Sequence, residues 1–211
     1  MLFFLGIYEA EPSAEGYEFV STCYKPKSFQ LYQLMDPIKE NYEQTNSTRP
    51  ATHKYPWEKF LEEGVQYLLS HNIDCRPPSN DHLFIKMSSG EIVQVDHPTG
   101  EHKRDYTRPI LRFGMIAGGK NLLTNDYFKS TLNEKCHVLC FDSEIDQVIA
   151  AVQGNRTESF MIIRGISDYQ DGTLNKEWQP YSALCAAAFM KTIIYTIPKN
   201  LHSSSENDDQ P

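Results

Sequence analysis

The chain has 211 residues, 40% of them hydrophobic and 12% aromatic, which is enough to bury one real core and too apolar for a disordered polypeptide. Its formal net charge of -8 repels polyanions, which argues against non-specific binding to nucleic acid or an anionic membrane but not against a small nucleoside or nucleotide in a local pocket.

The opening Met1-Leu2-Phe3-Phe4-Leu5 is apolar but too short to span a membrane, and it lacks a basic leader and a small-residue cleavage site. The five cysteines are Cys23, Cys75, Cys136, Cys140 and Cys185. Their odd number and irregular spacing fit no metal motif. Cys136 and Cys140 fall on one expected strand, roughly 13 Å apart and too distant for a disulfide. Free thiols in a reducing compartment are the simplest reading, so a cytoplasmic protein is expected.

Residues 18–24 alternate and are rich in β-formers, which predicts a strand. Residues 28–44 are weakly helical, with Pro37 as a break or kink. Residues 56–69 predict a stronger helix: Pro56 suits the first position, and Trp57, Phe60, Leu61, Val65, Leu68 and Leu69 share a face. After a turn-rich connector, residues 83–87 and 91–95 flank Ser88-Ser89-Gly90 as a hairpin. Residues 96–109 predict an exposed polar loop, and its His97 and His102 fit solvated side chains better than a metal or catalytic pair.

From residue 110 the texture changes. Strands are expected at 110–117, 136–141 and 159–166, and helices at 126–132, 143–152 and 177–197. Pro180 is tolerated in the first turn of the last helix. Trp178, Tyr181, Leu184, Cys185, Ala188, Phe189 and Ile193 form that helix's buried stripe. The tail, 199–211, is polar and expected to be disordered.

The strand, helix, strand unit spanning 136–166 has a ten-residue crossover, so its strands should run parallel and end on one sheet edge, where open α/β sheets bind ligands. Phe141-Asp142-Ser143-Glu144 follows one of these strands, and Arg164-Gly165-Ile166-Ser167-Asp168 ends the next. Neighbouring strands lie about 4.8 Å apart, so Glu144 and Asp168 could face one ligand. On these residues alone, Asp142 and Ser143 fit helix capping more readily than chemistry.

Met161-Ile162-Ile163-Arg164-Gly165-Ile166-Ser167-Asp168-Tyr169-Gln170-Asp171-Gly172 resembles the strand and R-x-I-S-D-x-x-D segment of methylthioadenosine/S-adenosylhomocysteine nucleosidases, which belong to the purine and uridine phosphorylase superfamily. Asp142-Ser143-Glu144 resembles that family's E-M-E element, with the last carboxylate kept. Met115-Ile116-Ala117-Gly118-Gly119 resembles a strand ending in its S-G loop. Lys176-Glu177-Trp178-Gln179-Pro180-Tyr181 resembles the final helix of nucleosidase modules in fungal and animal multidomain proteins. The match is best over 82–197.

The resemblance implies a nucleoside phosphorylase-like domain over 1–198. Its expected fold is an α/β three-layer sandwich with a mostly parallel central sheet flanked by helices, incomplete at its N-terminal end. The activity implied is cleavage of the N-glycosidic bond of a purine nucleoside or nucleotide, with hydrolysis favoured and phosphorolysis left open. Asp168 would protonate or share a proton with purine N7, oriented by Ser167. Glu144, beside Ser143, would accept both ribose hydroxyls, and its charge would favour the oxocarbenium-like sugar. Leu122 and Leu123 would line the base pocket or simply pack in the core. Arg164 fits a structural ion pair better than a ligand contact. No cofactor is implied, only inorganic phosphate as co-substrate if the reaction is phosphorolytic. A dimer or larger assembly of like chains is implied by analogy.

The sequence departs from the family in residues 1–80, where the opening strand with its water-activating acid and the Gly-rich loops are not recognised. Gly6-Ile7-Tyr8-Glu9-Ala10-Glu11 resembles that opening only superficially. The chain is therefore expected to start within the domain and to be marginal in stability, with catalysis in doubt. Two alternatives stand beside the enzyme: a nucleoside-binding or interaction module that cleaves nothing, and a Rossmann-like oxidoreductase, which the lack of G-x-G-x-x-G disfavours.

Overall fold

The computed structural model describes residues 4–13, 16–24, 28, 30–50, 52–78, 83–95, 108–118, 129, 133–134, 137–155, 159–168 and 176–197. In chain order the elements are β1 (Phe4–Ser13), β2 (Gly16–Tyr24), α1 (Gln30–Gln33), α2 (Asp36–Thr45), α3 (Pro56–Ser70), β3 (Leu83–Lys86), β4 (Ile92–Val95), β5 (Met115–Gly118), β6 (Val138–Asp142), α4 (Ile145–Gly154) and α5 (Gln179–Thr196). A 3-10 turn, Lys176–Trp178, leads into α5. The fold is mixed α/β, with one four-stranded and one two-stranded sheet.

The larger sheet has the order β2-β1-β5-β6. β1 and β2 form an antiparallel hairpin, from Leu5 opposite Tyr24 to Ser13 opposite Gly16. β5 runs parallel to β1, with Phe4 opposite Met115 and Ile7 opposite Gly118. β6 runs parallel to β5, and a register shift between Met115 and Ile116 leaves Leu139 as the extra, bulged residue. The sheet is therefore parallel over three strands with an antiparallel edge. β1, a strand not expected from the sequence, lies beside β5 in this sheet. β3 and β4 form the expected hairpin, with Gly90 at φ 86° in its turn, where a side chain would be strained.

Local chemistry explains the helix boundaries. Pro37 sits at the start of α2, so the weakly helical stretch divides into α1 and α2. α3 begins at Pro56, and the Glu58 carboxylate takes the Tyr55 N–H at 2.8 Å, satisfying one of the orphan donors at the helix start. It ends with Asn72 at φ 61°, the Ile73 N–H on the Leu68 carbonyl and the Asn72 N–H on the Leu69 carbonyl. This is a Schellman closure with asparagine in the place glycine usually takes.

Among the described residues, buried clusters pack against the C-terminal half of the chain. Met35, Tyr42, Tyr55, Trp57, Leu111, Phe189 and Ile193 form an aromatic-rich core joining α2, α3 and α5. Tyr55 and Trp57 stack at 4.4 Å, and Trp57 meets Phe189 edge-on at 5.3 Å. Ile116, Ile145 and Ile149 form a second core between β5 and α4.

Two expected strands differ from the reading. The 110–117 strand shortens to β5, because the Leu111 N–H donates to the Tyr42 hydroxyl at 3.1 Å and its side chain enters the aromatic core. Residues 159–166 form no assigned strand. They still alternate as one would: Phe160 and Ile162 pack on the isoleucine core, Met161 and Ile163 on the aromatic core. The expected helix 126–132 and the expected 96–109 loop fall almost wholly outside the described residues, and the 199–211 tail wholly so.

Candidate functional site

Three parallel strands bring their C-terminal ends to one edge. β5 ends there at Gly118 and β6 at Asp142, which pair with each other. A Cβ on Gly118 would lie 2.1 Å from Ile145 Cγ2 and 3.3 Å from the Asp142 carbonyl oxygen, so the strand end and the start of α4 approach as closely as only glycine permits. β1 continues past the Ile7–Gly118 pair along β2, which places Glu9 beyond that edge on the backbone. The signal for it in the sequence was an acid two residues after a short apolar run.

Asp142 organises the loop. Its Oδ1 accepts the Glu144 N–H at 3.0 Å, a local turn that closes before α4 begins at Ile145 and not the helix cap expected for this residue. Its Oδ2 lies 2.6 Å from Arg164 Nε, an ion pair in which Asp142 is 16% and Arg164 38% exposed. The Arg164 N–H is not aligned as a hydrogen bond, so the contact is electrostatic. Arg164 thus makes a structural pair, as expected. Ser143 is half-buried and Glu144 is exposed.

The segment carrying Asp168 is held from the other side. The Ser182 hydroxyl, buried in the first turns of α5, donates to the Ile166 carbonyl at 2.8 Å. A Cβ on Gly165 would lie 1.9 Å from the Ser182 carbonyl oxygen, so this backbone rests directly on the helix. Ser167 and Asp168 follow at once, and the Ser167 hydroxyl donates to Asp168 Oδ2 at 2.6 Å. That bond fixes the carboxylate's rotamer. Leu122 and Leu123 lie outside the described residues.

Burial pushes the Cys140 thiol up to about 11, with the Asp142 charge adding to it, and pushes Cys185 up to about 12. Both sulfurs therefore stay protonated at neutral pH. Among the described residues no cluster of three or more His, Cys, Asp or Glu side chains is placed to hold a metal ion, and no helix is long and apolar enough to cross a membrane.

No protein-family model and no solved structure matches the chain. Over 108 residues it is 28% identical to a nucleotide-binding leucine-rich repeat (NLR)-like protein of the fungus Hyaloscypha variabilis. The match covers 51% of this chain and 10% of that protein, so the chain corresponds to a small part of its relative's length.

Proposed function

We propose that this domain binds a purine nucleoside or nucleotide at the β5–β6 edge and cleaves its N-glycosidic bond by hydrolysis. The observation that carries the reading is the linkage of Glu144 to Asp168: Asp142 holds the backbone of one and, through Arg164, the segment of the other. In this reading Asp168, oriented by Ser167, shares a proton with the departing base, and Glu144 grips the ribose hydroxyls. The phosphorylase-type three-layer fold is part of the same proposal. It is supported by the alternate packing of residues 160–163 on cores at either side. The fungal relative is named for nucleotide binding, and a match to a tenth of its length fits a module within a longer chain.

Hydrolysis at this edge also needs a group to activate water, and Glu9 is our candidate on its register position alone. The exposure of Glu144 favours a second reading, a module that binds the nucleoside and leaves it intact. Incubation with adenosine, methylthioadenosine and ATP, with and without phosphate, separates the two by chromatography. Release of free adenine, lowered by about 10²- to 10⁴-fold in Asp168→Asn, supports cleavage. Saturable binding without adenine supports the binding module, and the absence of both binding and release overturns both readings.

A further inference from the structure

The inference rests on the proposed nucleoside reading and concerns how the site keeps its dimensions. Asp142 is engaged on both oxygens, one on the Glu144 N–H at 3.0 Å and the other 2.6 Å from Arg164 Nε. Each partner leads to one working carboxylate: the first is the backbone of Glu144 itself, the second lies four residues before Asp168. We propose that Asp142 is a positioning residue that sets the span between Glu144 and Asp168, and so matches the site to a ribosylated purine gripped at both sugar and base.

A local turn alone does not account for this arrangement. Asparagine closes such a turn as well as aspartate, and the contact with Arg164 has no part in it. Nor is stability a sufficient reason, because an ion pair whose arginine is 38% exposed adds little to folding. What the pair does supply is a charge contact between two segments that, among the described residues, no assigned strand ladder joins. An acid one methylene longer keeps the charge at the same end of β6, whereas the amide keeps the turn and loses the charge.

The test compares the full chain with Asp142→Asn, Asp142→Glu, Arg164→Gln and the Asp142→Asn/Arg164→Gln pair. Adenine release is followed from adenosine, methylthioadenosine and ATP, with calorimetric affinity for adenosine and thermal unfolding by circular dichroism alongside. Asp142→Asn and Arg164→Gln should each lower kcat/KM by about 10- to 100-fold, or weaken binding comparably if nothing is cleaved. The double variant should be no worse than either single, and Asp142→Glu should regain at least about half the loss, with thermal midpoints close together. Full activity in Asp142→Asn, beside an active unsubstituted chain, overturns this inference and spares the nucleoside reading. So does a loss that tracks unfolding and is not regained by Asp142→Glu. An unsubstituted chain that neither binds adenosine nor releases adenine overturns the reading itself, and this inference with it.

Discussion

Glu58 and Arg49 are 4% and 6% exposed, and they meet through two parallel contacts of 2.8 and 2.9 Å while Arg49 lies over the Tyr55 ring at 4.3 Å. Glu58 also takes the Tyr55 N–H, so its charge is both paired and hydrogen-bonded. Removing one member of such a pair strands the other in the interior. Glu58→Ala should therefore cost about 3–5 kcal/mol of stability in urea unfolding. Gly165 is as unforgiving for a different reason. Gly165→Ala drives a methyl into the Ser182 carbonyl, so adenine release or adenosine affinity should fall together with the thermal midpoint. Pro56 and the apolar face of α3 were legible from spacing, but the Arg49–Glu58 pair was not. Its members sit nine residues apart across a loop, and nothing in the one-dimensional pattern shows which of many acids and bases will be shut away together.

α5 shows what periodicity reveals and where it stops. The expected stripe is largely inside, with Tyr181, Ala188, Phe189 and Ile193 buried, and Pro180 sits in the first turn as anticipated. Phe189 closes the aromatic core against Trp57, so Phe189→Ala should cost about 3–5 kcal/mol, read from the shift in denaturation midpoint at unchanged slope. The segment 159–166 illustrates the complementary case. Its alternation was legible and is honoured by packing, yet no assigned strand forms, because hydrophobic pattern specifies which face a residue takes and not where the backbone finds its partners. β1 was passed over for a related reason. Its Gly6, Pro12 and repeated acids weaken the alternating signal, and its place beside β5 depends on residues far along the chain. The sheet edge bearing Asp142 was read from strand order, while the double engagement of Asp142 required coordinates.

For the molecule as a whole, burial of Cys140, Cys185 and Tyr42 shapes the response to alkali. All three are held above their ordinary values, chiefly by loss of water around the ionised form. A raised folded-state value means that the unfolded chain releases its proton first. Stability from these groups is intact below about pH 9 and is lost as pH rises towards 11 and 12. The thermal midpoint should therefore decline over that range. Cys140→Ala/Cys185→Ala should decline less steeply from its own lower starting point, and an identical slope would show that other groups govern the transition.

The parallel partnership of β1 with β5 also orders events in time. Phe4 waits for Met115, which emerges from the ribosome about 110 residues later, or roughly 5–20 s at ordinary elongation rates. Throughout that interval the β1–β2 hairpin presents an unsatisfied row of amides and carbonyls to solvent or to a neighbouring nascent chain, so the fate of each copy is decided by whichever strand arrives first.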